Sequence, residues 1–328
     1  MFKGVLCLLV TLLCGAVLPL HAAAAELAHI VILHVNDVHG QTLSSSVEGK
    51  ATGGYARLST VVSRVRQEVG ADHVLLFHAG DEFSRGDAMT MASRGAANIS
   101  LMNQIGFDLM TPGNGDFYGG VENLQTRIGE ARFPLLTSNV AYRQSGKQVS
   151  LDSKVLVVAD VRIGVLGLCF LHKLYPASLP LTVENPQDAA KRIVPQLREK
   201  ADMVLALNHI GLQEDRRLAA AVAGIDVIIG GHTHTTLPRG NRVTGPDGRS
   251  VLIAQAGAYL SYVGRVDLLF QREGGKWALD DAQAQLIPLD ASVPEDPAIK
   301  AAIARMWPAT APTTAPVTAP VAQPAYVD

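Results

Sequence analysis

Five apolar runs of strand length in this chain each stop at residues that bind metal ions well. HIVILHV runs into Asn36-Asp37-Val38-His39-Gly40, HVLLFHA into Gly80-Asp81, and DLMTP into Gly113-Asn114. MVLAL leads to Asn208-His209, and VII to Gly230-Gly231-His232-Thr233-His234. Between several of them lie segments of helical period. GGYARLSTVVSRVRQEVG puts Tyr55, Leu58, Val61, Val62, Val65 and Val69 on one face, and MASRGAANISLMNQIG, DAAKRIVPQLREKA and EDRRLAAAV read the same way. FPLLTSNV and RIGVLGL add strands to the series, so the alternation is that of an α/β domain. From about Val251 the helices thin out. VLIAQAG, VGRVDLLFQ and KWALDDAQAQLIPL read as strands, the last two as a hairpin around Glu273-Gly274-Gly275.

The two ends of the chain are different in kind. Residues 1–25, MFKGVLCLLVTLLCGAVLPLHAAAA, have one lysine, an apolar run from Gly4 to Leu20 and an alanine cluster. That is the layout of a secretory signal cut near Ala23 to Ala25, which sends the mature chain to the periplasm or the cell exterior without stable membrane insertion. Cys7 and Cys14 leave with it, and Cys169, inside VRIGVLGLCF, is expected to be a buried, inert thiol. Residues 26–290 carry the alternating pattern, 291–306 a linker-like helix within DPAIKAAIARMW, and 307–328 a tail of Pro, Ala and Thr expected to be disordered. The formal net charge is -2 and no basic tract exceeds Arg216-Arg217, which argues against a nucleic-acid partner.

In α/β sheets the carboxyl ends of strands form the rim where ligands bind, and glycines there let the chain turn sharply. Asp37 and His39, two apart at a strand end, can face one ion, and His232 and His234 repeat that spacing. Two carboxylates, several imidazoles and an amide suit Mn, Fe, Co or Zn, and there are enough ligands for two ions. Paired ions roughly 3.5–4 Å apart can activate a bridging hydroxide and neutralise a phosphoryl group, with a carboxylate such as Asp81 between them. His34 and His78 lie inside strands and are expected to be buried and hydrogen-bonded.

The order of these motifs resembles the 5'-nucleotidase branch of the calcineurin-like metallophosphoesterases over roughly Ile30 to Asp267. LHVNDVHG resembles the family's opening motif, GGYARL its first helix, and HAGDEFSRG its second metal motif. MNQIGFDLMTPGN is similar to the lead into the third, and ALNHIG and VIIGGHTHT to the fourth and fifth, with AQAGAYLSYVGRVDL following. The resemblance implies a four-layer α-β-β-α sandwich of two mixed sheets flanked by helices. It implies one divalent ion held by Asp37, His39, Asp81 and His234, and another held by Asp81, Asn114, His209 and His232. Asn114 and His209 would also touch the phosphate of a small phosphorylated substrate, such as a nucleotide.

Two departures limit what is carried over. The family's third motif usually reads Gly-Asn-His-Glu-Phe-Asp, its histidine and last aspartate forming a dyad that stabilises the transition state. Here the string is Gly-Asn-Gly-Asp-Phe-Tyr, so Gly115 and Tyr118 stand in the dyad's place. Losing a positioned acid costs about 10²–10⁴ in rate. A slow or altered hydrolase is therefore expected, with Arg85, Tyr118 or Asp116 near enough to substitute in part. The alternatives are a non-catalytic metal- or anion-binding protein on the same scaffold, and a sulfur-ester hydrolase like the related thiosulfohydrolases. Full-length family members also carry a C-terminal domain that sandwiches the nucleobase. No such domain is expected after DPAIKAAIARMW, which leaves nucleotide specificity open.

Overall fold

Strand β1 (Leu27–Val35) is buried on both faces, and its two faces belong to different cores. Ile30 and Ile32 point into one apolar cluster, Val31, Leu33 and Val35 into another. A strand of that kind needs a layer above and a layer below. The computed structural model describes residues 26–47, 50–83, 85–169 and 179–308 and supplies both layers. The expected leader, His172 and residues 309–328 of the expected tail lie outside the described residues.

In chain order β1 is followed by β2 (Ser45–Val47), β3 (Lys50–Thr52), α1 (Tyr55–Val69), β4 (Val74–His78), α2 (Ala88–Ser93), α3 (Ala96–Ile105), β5 (Leu109–Met110) and α4 (Val121–Glu130). Next come β6 (Val140–Tyr142), β7 (Ser153–Val158), β8 (Val161–Cys169), β9 (Leu181–Val183), α5 (Pro186–Arg198), β10 (Met203–His209) and α6 (Leu212–Ala221). The chain continues through β11 (Val227–Ile229), β12 (Asn241–Thr244), β13 (Ser250–Ala254), β14 (Tyr262–Glu273), β15 (Lys276–Pro288) and α7 (Pro297–Met306). A five-stranded sheet has the order β15-β14-β1-β4-β5, and a six-stranded sheet the order β12-β13-β11-β10-β8-β7. Both are mixed. β1, β4 and β5 run parallel, as do β8, β10, β11 and β13, while β14, β15, β12 and β7 pair antiparallel.

The sheets pack face to face through Ile30, Ile32 and Phe77 on one side and Val165, Leu205 and Leu207 on the other. The outer face of the first sheet is covered by α1, α3 and α7, that of the second by α5 and α6. The result is the expected α-β-β-α sandwich. Helix α1 buries Tyr55, Leu58, Val61, Val62 and Val65 as its periodicity requires, with Val69 partly covered at its end. No helix among the described residues is long and apolar enough to cross a membrane.

Several boundaries differ from the sequence reading, each for a local reason. MASRGAANISLMNQIG is two helices, because Arg94 (φ 52°) and Gly95 (φ 86°) both adopt left-handed backbone between α2 and α3. FPLLTSNV makes only isolated bridges before β6. Pro134 has no N–H to give, and the Ser138 N–H goes to the Gly167 carbonyl instead. The hairpin between β14 and β15 turns at Gly274-Gly275, both at positive φ, as expected. Helix α7 docks against α1, where Ser59 donates to Asp296 at 2.7 Å and Ile299, Ala302 and Ile303 join the outer core.

His34 is buried, but the expected hydrogen bond is absent at Nδ1, which has no partner, and burial lowers its pKa to about 3. The neutral ring lies over Gly264, its partner across the β1–β14 pair, and a Cβ on that glycine would overlap the imidazole. Gly264→Ala is therefore expected to destabilise by about 1–3 kcal/mol. Adding His34→Ala should recover part of the loss, which a denaturant-unfolding double-mutant cycle would measure.

Candidate metal centre

The loops after β1, β4, β5, β10 and β11 meet at one edge of the sandwich. The loops after β1 and β4 bond directly, Asp37 N–H to the Gly80 carbonyl at 2.9 Å and His39 N–H to the Asp81 carbonyl at 2.8 Å. Gly113 passes so close to Asp81 Oδ1 and the His209 ring that a Cβ would overlap both. Five of the seven expected ligands hold positive φ: Asp37 (51°), His39 (52°), Asp81 (59°), His232 (79°) and His234 (53°). Such backbone costs on the order of 1–3 kcal/mol per residue outside glycine, and its concentration here marks a site whose geometry is imposed by the surrounding fold.

The ligand atoms form two groups, Asp37 with His39 and His234, and Asp37 with Asp81 and His209, each within 4.8 Å. His39 Nε2 and His234 Nε2 lie 2.9 Å apart, and Asp37 Oδ1 is 3.3 Å from His234 Nε2. His209 Nε2 is 3.5 Å from Asp81 Oδ1 and 3.7 Å from Asp37 Oδ1. Asp37 is shared by the two groups, and Asp81 also reaches both, with its Oδ2 at 3.8 Å from His39 Nδ1. The two carboxylates therefore stand together between the groups.

The protonation states suit a cation. Burial would raise the Asp37 and Asp81 carboxyls, but the neighbouring imidazoles, His209 foremost, hold both below the usual range. Burial brings His39 and His232 down to about 4, leaving their lone pairs free of protons at neutral pH. His209 goes the other way. Burial alone would lower it, yet the Asp81 and Asp37 charges push it up to about 10. Its Nδ1 is committed to the Ala79 carbonyl at 2.6 Å, while its fully buried Nε2 has no hydrogen-bond partner and faces the carboxylates. A divalent ion satisfies that nitrogen, the paired imidazole nitrogens and the two carboxylates together, so the residues fit the implied metals.

His232 and Asn114 stand beside these groups. The His232 ring meets His209 edge-on with centroids 5.2 Å apart, and the His232 backbone N–H donates to Asp37 Oδ2 at 2.9 Å. The Asn114 amide donates to the Tyr118 hydroxyl at 3.0 Å. Gly115 contributes only its backbone, the N–H donating to Asp81 Oδ1 at 2.6 Å. Asp116, one of the suggested substitutes for the dyad, faces inward. Its oxygens accept the N–H groups of Asp81, Glu82, Phe83 and Gly113, so it staples two ligand loops and is withheld from acid–base work.

Sequence reasoning gave no role to three residues that the fold places here. Asn36 ties the first ligand loop to the Ala256–Gly257 backbone, accepting from Ala256 N–H and donating to the Gly257 carbonyl. Gln255, fully buried, accepts from Thr233 and Thr235 and donates to the Gly231 carbonyl, fixing the His232–His234 loop. Tyr259 lays its ring 5.4 Å from His39 and 5.6 Å from His234. Gln255 and Tyr259 fall in AQAGAYLSYV, whose position at a strand end was the available signal. His78, expected to be buried and bonded, is both: it accepts from Gly80 N–H at Nδ1, so its Nε2 proton goes to Glu82 at 2.9 Å.

A two-sheet sandwich with Asp, His and Asn converging from five strand ends is the architecture of a metallophosphoesterase. The chain belongs to the calcineurin-like phosphoesterases, whose family profile matches residues 30–236. Within that family it falls in the 5'-nucleotidase-like branch. It is 35% identical over 319 residues to a human 5'-nucleotidase, a match covering 88% of this chain and 54% of that protein. The 5'-nucleotidase precursor of Thermus thermophilus superposes with a TM-score of 0.74 at 26% identity, over 85% of this chain and 58% of that one. A Thermus thermophilus sulfate thiohydrolase shares the fold with a TM-score of 0.74 at 21% identity, over 84% of this chain and 60% of that one. The chain spans about half the length of the curated relatives it matches.

Two expectations follow from this geometry. Burial and the Asp81 charge push the Asp116 carboxyl up to about 6 against the pull of its backbone donors. Neutralising it as Asp116→Asn should nonetheless destabilise the protein by roughly 2–4 kcal/mol, because the amide turns an NH₂ toward two backbone N–H groups. Chemical denaturation measures it. Separately, His209 carries a proton below about pH 10 in the ion-free protein. Metal uptake at neutral pH is expected to release about one proton per chain and to strengthen as pH rises, seen by calorimetry in buffers of different ionisation enthalpy.

Proposed function

We propose that the protein is a two-metal phosphoester hydrolase acting on a small phosphorylated substrate, in the periplasm or outside the cell. Residues 26–290 form its catalytic unit, 291–306 a connecting helix packed on it, 1–25 a cleaved leader and 307–328 a tail. The observation that carries the reading is the buried His209 Nε2, which has no hydrogen-bond partner and is set between the carboxylates of Asp37 and Asp81.

In this reading Asp37, His39, Asp81 and His234 hold one ion, and Asp81, Asn114, His209 and His232 the other. Bound as a pair, Mn, Zn, Fe or Co would supply Lewis acidity and the activated water. Asp37 and Asp81 would hold the two ions from loops joined by backbone hydrogen bonds. The His209 Nδ1–H bond to the Ala79 carbonyl fixes the ring so that only Nε2 faces the centre. Asn114 and His209 flank the phosphoryl group as well as holding the ion, and the Asn114 amide is oriented by Tyr118. No imidazole follows Asn114 to donate to the leaving oxygen, so turnover should be slow and best on substrates with good leaving groups. A nucleotide is a fitting substrate by kinship with the 5'-nucleotidases.

The bare backbone of Gly115 favours a second reading, in which the centre binds metal and anion without turnover. Purified mature protein loaded with Mn²⁺ should hydrolyse p-nitrophenyl phosphate slowly, and Asp81→Ala should abolish it. Protein that holds two ions per chain and shows no turnover would establish the binding reading instead.

A further inference from the structure

We propose that the exposed ring of Tyr118 is a platform for the leaving group, so that the centre selects phosphoesters whose ester oxygen carries a flat aryl ring over those that carry an aliphatic chain. The inference rests on the two-metal reading above and deepens it.

The short turn Gly115–Phe117 is anchored by two of its own side chains. Asp116 accepts four backbone N–H groups, and Phe117 is buried in the outer core. Tyr118 follows, its N–H donating to the Gly115 carbonyl at 2.9 Å and its hydroxyl accepting from the Asn114 amide at 3.0 Å. The side chain is held at its base and at its tip beside a candidate ligand, yet the residue is 59% exposed. Gly119 and Gly120 come next and bring no side chain beside the ring. Arg85 stands elsewhere, its Nε donating to His39 Nδ1 at 3.2 Å.

Asp37, His39, Asp81, Asn114 and His209 are all buried. A phosphoryl group held among them has to send its ester substituent outward, and beside Asn114 the side chain that meets it is Tyr118. The other tyrosine at the centre, Tyr259, is packed on the imidazoles of His39 and His234. An aryl group stacked on Tyr118 takes the apolar face of that ring out of water, and an offset pair of rings gains beyond the area it covers.

The leaving-group chemistry points the same way. Hydrolysis joins a water oxygen to phosphorus and breaks the ester P–O bond, and the released oxygen takes up a proton. Position 115 offers no side chain to give that proton. A phenol ionises near pH 10, as tyrosine does, against about 15.7 for water, so an aryl oxide departs as an anion and takes its proton from solution afterwards. The missing donor at Gly115 and the exposed ring at Tyr118 thus favour the same substrates.

The test is calorimetric titration of phenylphosphonate and of methylphosphonate into the Mn²⁺-loaded mature protein, with Mn²⁺ per chain counted in each variant. Neither compound can be hydrolysed, and they differ in the ring alone. Wild type should bind phenylphosphonate about 10-fold more tightly, Tyr118→Phe should keep most of that preference, and Tyr118→Ala should bring it within about twofold. An unchanged preference in Tyr118→Ala at full Mn²⁺ content would overturn the inference, as would equal affinities in wild type. A preference lost equally in Tyr118→Phe, or loss of Mn²⁺ from Tyr118→Ala, would also overturn it by assigning the tyrosine to the support of Asn114. Fewer than two Mn²⁺ per wild-type chain would overturn the two-metal reading first.

Discussion

Asp37 and Asp81 place two buried carboxylates within 3.7 Å of a single imidazole nitrogen, and much of the protein is organised to make that tolerable. Desolvating one carboxylate costs several kcal/mol even after relaxation, and two close together also repel. The chain compensates from three directions. Backbone N–H groups of His232 and Gly115 bond to the carboxylates, His209 lies between them, and His39 and His234 close the other side. A divalent ion adds the remaining charge. The fold provides a half-compensated negative cavity, and that is a demand for cations.

Holding those groups so close requires backbone that free chains avoid. Five candidate ligands have left-handed φ, and polar side chains that are not themselves candidate ligands tie their loops together. Gln255 grips the His232–His234 loop, Asn36 joins the first loop to the strand that follows the last one, and Asp116 gathers two loops onto one carboxylate. The same logic explains why the two mixed sheets stand back to back. Five strand ends arrive at one edge only because β1, β4 and β5 run parallel in one sheet and β10 and β11 run parallel in the other. The antiparallel strands sit at the margins, where they close the sheets and donate no ligand.

The candidate ligands were legible as strand-end residues because each lies within a few residues of an apolar run, and a strand end is a place that sequence can locate. Asp37 after HIVILHV and His209 after MVLAL needed no knowledge of tertiary contact. HIVILHV was legible as an apolar run of strand length, though not that its two faces feed different cores. What the sequence concealed was orientation. Asp116 looks like a free acid beside a metal ligand, yet its carboxylate turns inward to backbone donors more than thirty residues away in the chain. Gln255 and Asn36 resemble ordinary loop amides until the fold joins segments more than two hundred residues apart. The seat of the His34 ring was likewise invisible, since it depends on the absent side chain at Gly264 in a strand paired across the sheet.

Gly115 is the residue where these lines meet. Its backbone is still needed, for its N–H bonds to Asp81 Oδ1 inside the centre, but its side chain is gone. Random loss would be expected to spread to the neighbours that share the loop. Instead Asn114 keeps its place on the rim, Asp116 keeps four backbone donors, and Tyr118 reaches back to Asn114. The loop that carries Asn114 and Gly115 is thus tied by hydrogen bonds to the candidate ligand Asp81, while position 115 offers no side chain that could act on a leaving oxygen. Positioning and electrostatics account for most of the rate enhancement in metal-assisted phosphoryl transfer, and proton donation for a smaller share that depends on the leaving group. In the two-metal reading, a centre that keeps the first and lacks the second would discriminate among substrates by how little help their leaving groups need.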